Sequence, residues 1–243
     1  MKIILPLLIV VCSLAAQDAA RLAPQDAAHL APQDAAIIPQ PVQRMEISLE
    51  RQDGNQWKTV DPGFVFESGD RVRFRFRSNF DGYLYVMDYG TSGSYSILFP
   101  HEETGRENRI AEGKEYQIPA TKAWFRISGP PGHDIVYWLV SPLALENGND
   151  ALSPLPLPRP KQPPKILIPR CDDAIFRARG ECVDSGAGLR GITETDALPE
   201  NMKDMPGLKS RELVIMRKED RFLVSSPVPL SGPILYQFRL AHK

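Results

Sequence analysis

Cysteine is scarce in this 243-residue chain: three in all, at Cys12, Cys171 and Cys182. Histidine is nearly as rare, with four, and none lies between His133 and His242. Cys171 and Cys182 therefore lack the two further close ligands a zinc site needs, and no metal or other cofactor is expected. A basic surplus is missing too, since 29 Lys and Arg stand against 30 Asp and Glu. General nucleic-acid binding wants a clear excess of positive charge and is not expected. The N-terminal apolar run Ile3–Leu14 falls short of the ~20 residues that cross a bilayer, so no transmembrane span is expected once a leader is removed.

Catalytic signatures are missing in the same way. Gly90-Thr91-Ser92-Gly93 misses the Gly-x-Ser-x-Gly spacing of a serine nucleophile elbow. His101-Glu102-Glu103-Thr104-Gly105 has no second His to complete a metalloprotease helix, and no phosphate-gripping Gly-x-x-x-x-Gly-Lys-Ser/Thr loop occurs. The adjacent acids Glu102/Glu103 and Asp172/Asp173 read as solvated loop surface. His101 and His133 read as ordinary polar surface beside Glu102 and Asp134. No catalytic residue is assigned. The acid pairs keep one alternative open, an extracytoplasmic hydrolase with a loop-built carboxylate site; an accessory subunit of an envelope complex is another.

What is present begins with the leader. Met1-Lys2, the apolar run Ile3–Leu14 and the small residues Ala15-Ala16 have the form of a signal peptide over residues 1–16. The expectation is an exported protein, periplasmic or extracellular. Cys12 leaves with the leader, because the bulky Val11 before it does not suit lipid attachment. Cys171 and Cys182 are then an even pair in an oxidising compartment and read as one disulfide. Its 12-residue ring is worth about 3 kcal/mol in the chain-entropy picture.

Residues 17–42 write Gln-Asp-Ala-Ala-x-Leu/Ile-x-Pro nearly three times. A proline every eight residues stops any helix short of marginal stability, so the stretch reads as a flexible spacer. Residues 142–169 hold eight prolines and read as a polyproline II linker. Between them, over 43–141, apolar and polar residues alternate in short runs separated by turn signals such as Asp53-Gly54-Asn55, Asp81-Gly82 and Gly129-Pro130-Pro131-Gly132. No amphipathic helix of ten residues interrupts them. The pattern predicts an all-β fold, an antiparallel β-sandwich of immunoglobulin-like size. Residues 170–243 read as a loop held by the disulfide followed by a β-hairpin extension, with too few apolar residues for a core of its own and so docked on the sandwich.

One strand carries the sharpest functional signal. Arg71, Arg73, Arg75 and Arg77 alternate with Val72, Phe74 and Phe76. Period two points all four guanidiniums to one face, ~6.5–7 Å apart, where they repel unless something answers them. Cross-strand acids such as Glu46 and Glu50 would give a solvated salt-bridge face. The functional reading is a strip that grips an anionic envelope polymer or an acidic envelope protein. The tyrosines Tyr83, Tyr85, Tyr89 and Tyr95 read chiefly as packing, with a carbohydrate-stacking face as the lesser alternative.

Gly69-Asp70-Arg71-Val72, Asp81-Gly82-Tyr83-Leu84-Tyr85-Val86, Ile97-Leu98-Phe99-Pro100, Tyr116-Gln117-Ile118-Pro119 and Ser128-Gly129-Pro130-Pro131-Gly132 follow one another in an order that resembles the bacterial DUF4384 family over Gly69–Ser141. The resemblance implies a small exported or envelope-associated β domain and carries over no catalytic residue. The expected compartment and the missing catalytic signatures favour a non-catalytic binding or scaffolding module of the cell envelope.

Overall fold

Alternation at Met45, Ile47 and Leu49 builds β1 (Gln43–Asp53), which a turn at Gly54 folds back into β2 (Gln56–Val60). In the computed structural model the chain continues through β3 (Val65–Phe66), β4 (Arg71–Ser78), β5 (Gly82–Tyr89) and β6 (Tyr95–Phe99). Then come β7 (Arg109–Ile110), β8 (Glu115–Ile118), β9 (Phe125–Arg126) and β10 (Gly132–Ser141). The described residues of the C-terminal part hold a short helix α1 (Ala174–Ala178) and the strands β11 (Gly188–Gly191), β12 (Val214–Lys218), β13 (Arg221–Ser226) and β14 (Ile234–His242). The structure describes residues 42–145, 168–171, 174–178, 180–192, 196, 213–227 and 229–243. The expected leader, the octad spacer up to residue 41 and the linker over 146–167 lie outside them, as does the acid pair Asp172/Asp173.

Among the described residues the strands form two seven-stranded sheets. The first runs β12-β13-β1-β4-β8, with β2 also on β1 and β9 also on β4. The second runs β11-β14-β10-β5-β6, with β3 on β14 and β7 on β5. Every pairing is antiparallel except β3 with β14. This is the expected all-β sandwich. Strand β5 lies between β10 and β6 and is covered on both faces, with Val86 and Met87 both fully buried.

The sandwich does not close at residue 141. Strand β13 pairs with β1 over Gln43–Ser48, and β14 pairs with β10 along nearly its whole length. Phe222, Val224, Tyr236 and Phe238 point into the same core as β1 and β4. The C-terminal hairpin β12–β13 is therefore continuous with the first sheet, not an appendage lying on a finished domain. The physical reason is edge satisfaction. Without β14 and β13, β10 and β1 would expose rows of unpaired N–H and C=O groups beside a core left short of aromatic side chains.

At the centre, Phe74 meets Trp138 and Phe238 edge-on, each at 5.4 Å between ring centroids, and Trp138 stacks on Tyr236 at 6.2 Å. The Tyr236 hydroxyl donates to Met45 Sδ at 3.0 Å. Complete burial raises its phenol pKa. The Phe99–Pro100 and Ile118–Pro119 bonds are cis, at the ends of β6 and β8. Cys171 and Cys182 form the expected disulfide, with Cα atoms 4.8 Å apart. The ring is tied to the sheet at its exit, where Val65 N–H donates to the Cys182 carbonyl at 2.9 Å and Asp184 N–H to the Gly63 carbonyl at 2.8 Å.

Candidate anion-binding face

Because Met45, Ile47, Leu49, Val72, Phe74 and Phe76 fill the core, their alternates on β1 and β4 point outward. Register then fixes the neighbours of each arginine. Arg77 lies between Glu46 of β1 and Glu115 of β8, Arg75 between Ser48 and Gln117, and Arg73 opposite Glu50. Arg71 faces Arg126 of β9.

The four guanidiniums do not share one environment. Arg73 Nε donates to Glu50 Oε2 in a short contact, and Arg75 Nη1 lies 3.6 Å from the other oxygen of the same carboxylate. Glu50 is 6% exposed, so it is a buried acid shared by two arginines. Arg75 also reaches Glu115 Oε1 at 2.6 Å. Arg71 donates to the neutral Gln52 Oε1 at 3.2 Å and has no carboxylate partner among the described residues. Arg77 is the most isolated. Both acids that flank it pair elsewhere, Glu115 with Arg75 and Glu46 with Arg221 of β13 at 3.6 Å. The expected salt-bridge face thus exists at the centre of the ladder through Glu50, while its two ends, Arg71 and Arg77, are exposed and unpaired with acid among the described residues.

Several residues that complete the face escape a reading of β4 alone. Arg44 of β1, Arg126 of β9, Arg221 of β13 and Lys218 of β12 stand on the same outward side, which registers as Arg44 opposite Ser225, and Lys218 opposite Arg221 opposite Ser48. Against these and the ladder the strand positions of this side hold the carboxylates Glu46, Glu50 and Glu115, so cations outnumber acids although the whole chain carries −1. Two tryptophans join them. The Arg73 guanidinium lies 4.3 Å from the Trp57 ring centroid, and that of Arg71 4.4 Å from Trp124. Trp124 is 43% exposed. Around Arg77 the surface dips into a depression of about 380 Å³ bordered by Glu46, Gly113, Glu115 and Arg221. Trp57 follows from the β1–β2 hairpin, but its closeness to Arg73 depends on the β1–β4 register, which the sequence does not state.

The other candidates of the sequence behave differently. Glu102 is exposed and paired with Arg106, and His101 is an exposed turn residue whose Nδ1 accepts from Glu103 N–H. His133 turns away from its chain neighbour Asp134 and lies 3.5 Å from Asp184, because successive strand residues face opposite ways. Tyr85, Tyr89 and Tyr95 join a second apolar cluster on the outward side of the other sheet with buried Met87, Tyr137 and Leu139. Burial raises the Tyr137 phenol pKa. One buried polar cluster went unread: Asp134 Oδ1 accepts Thr91 N–H at 2.7 Å and lies 3.4 Å from Nε2 of fully enclosed His242. Nearby Asp88 has its carboxyl pushed up to about 8, first by burial and then by the charge of Asp134. Thr91 and Asp134 both sit on the Nε2 side of His242, so the three do not form a nucleophile–base–acid relay. Among the described residues there is no group of three or more His, Cys, Asp or Glu side chains placed to hold a metal ion, and no helix is long and apolar enough to cross a membrane.

These features define a two-sheet β-sandwich with a cationic face flanked by indoles. The model of the family described as Domain of unknown function (DUF4384) matches residues 65–143, over the same stretch whose motifs resemble it. The match runs from β3 to just past β10. It includes the arginine strand and Trp124 but not Glu46, Glu50, Trp57 or Arg221, which complete the face. No curated protein and no solved structure matches the chain.

Proposed function

We propose that this protein is a non-catalytic binding module exported to the cell envelope, and that it holds an anionic envelope polymer or an acidic envelope protein on the outward face of its first sheet. The observation that carries the reading is the pairing of Glu46 and Glu115 away from Arg77, which leaves an exposed guanidinium beside further cations and with no carboxylate of its own among the described residues. A purely structural ladder has no need of such an arrangement, because like charges ~6.5–7 Å apart repel. Export rests on the leader pattern of residues 1–16, and the Cys171–Cys182 bond suits an oxidising compartment.

The discriminating variant is Arg71→Gln with Arg77→Gln. Among the described residues neither side chain holds an acid, so retention on a carboxylated resin at low salt should fall about tenfold or more while the thermal midpoint barely moves. Arg73 and Arg75 are unsuitable for this purpose, since removing them strands the buried Glu50. Unchanged retention refutes the proposal.

A further inference from the structure

The cationic face carries more than charge, and what accompanies the charge narrows its ligand. We infer that it binds an acidic glycan, a carbohydrate polymer bearing carboxylates; this rests on the anion-binding reading above. Three observations converge. Indoles stand at the Arg71 end, with Trp57 against Arg73 and Trp124 against Arg71. A ligand that is only a string of anionic groups gains nothing from an indole, whereas the apolar face of a sugar ring stacks on one, and Trp124 is open enough to receive it.

The centre of the strip is a set of ion pairs: Arg73 with Glu50, and Arg75 with both Glu50 and Glu115. Glu50 is buried and engaged by both arginines, but Arg75 and Glu115 are 40% and 56% exposed, and there a guanidinium with five N–H donors stands beside a carboxylate with about four acceptor sites. That is the complement of a hydroxyl, which both donates and accepts. Glu115, over half exposed, is available to accept from one. A polyphosphate offers Glu115 only anionic oxygens, which it repels, whereas each glycan ring can turn a hydroxyl to it. Finally, the arginines without an acid partner among the described residues stand at the ends of the ladder, Arg71 and Arg77, three two-residue steps or ~20 Å apart. An extended acidic glycan, whose every ring carries hydroxyls beside its carboxylate, can set carboxylates against the two ends and turn ring hydroxyls to the middle.

The test is affinity electrophoresis of the full chain through gels holding polygalacturonate, neutral dextran, polyphosphate or single-stranded oligo(dT). The acidic-glycan assignment expects strong retardation by polygalacturonate and little by dextran. Trp124→Ala should weaken the polygalacturonate interaction about tenfold and any polyphosphate interaction by clearly less. Retardation by polyphosphate as strong as by polygalacturonate, with Trp124→Ala without effect on either, overturns the glycan assignment and leaves a generic anion face. Stronger, Trp124-dependent retardation by oligo(dT) overturns it in favour of single-stranded nucleic acid. Failure of all three polyanions to retard the protein, or retardation unaltered by Arg71→Gln with Arg77→Gln, refutes the anion-binding reading itself. Circular dichroism of each variant confirms that the sandwich is intact, and Trp57→Ala offers a second indole variant by the same readout.

Discussion

Replacing Glu50 by Gln separates the structural half of the arginine ladder from the half left free. Glu50 is 6% exposed and accepts from Arg73 while meeting Arg75 from its other oxygen. The substitution keeps size and shape but removes the charge, leaving two guanidiniums on one face with only Glu115, at 2.6 Å from Arg75, to offset them. Breaking a buried ion pair costs about 3–5 kcal/mol. Here the arginine side chains are 17% and 40% exposed, so water screens part of the loss, and about 2 kcal/mol is the reasonable size. For a domain of about 200 residues that lowers the thermal midpoint by roughly 4–8 °C. Arg77→Gln, which removes an exposed group with no acid partner among the described residues, should change stability by no more than about 0.5 kcal/mol. Urea denaturation of both variants measures the contrast, and Glu50→Gln/Arg73→Gln closes a double-mutant cycle. If Glu50→Gln is neutral, or if Arg77→Gln costs as much, the division between a paired centre and free ends is wrong.

Other outcomes follow from other parts of the fold. Asp88, with its carboxyl at about 8, keeps a proton in the folded state that the unfolded chain releases near its ordinary value of 3.8. Its contribution to stability is therefore complete below about pH 4 and declines as pH rises toward 8; Asp88→Asn should flatten the urea midpoint between pH 5 and pH 8. Glu219 in the β12–β13 turn has φ of 53°, so Glu219→Gly should raise stability by about 0.5–1 kcal/mol, read as an increased thermal midpoint. A fragment of residues 65–143 lacks β1, β13 and β14, and should give neither a cooperative melt nor dispersed amide signals, whereas residues 40–243 should give both.

The strand pattern was legible because period two survives in single residues. Met45/Ile47/Leu49 and Val72/Phe74/Phe76 name their buried sides without help from structure, and strands β2, β6 and β8 fall where turn residues and proline place them. Strands β7 and β11 were not legible, being two and four residues long and carrying no alternation to read. The place of the C-terminal strands was hidden for a different reason. Phe222 and Phe238 show that they bury a face, but only the antiparallel register assigns them to β1 and β10. The same limit applied to the face. Arg71 to Arg77 announce themselves, and Glu50 was a fair choice of counter-ion. That Glu46 turns to Arg221 and Glu115 to Arg75 depends on which strands flank β4. Trp124 gave no signal because the strand beside it, β9, is two residues long and carries no period to read.

The most direct measurement is calorimetric titration of the full chain with polygalacturonate at two ionic strengths, beside the variant carrying Arg71→Gln and Arg77→Gln. Binding that weakens as salt rises, and that the double variant loses while its melting curve overlays that of the parent, is the result this account requires. Equal affinity in parent and variant, or binding indifferent to salt, would contradict it.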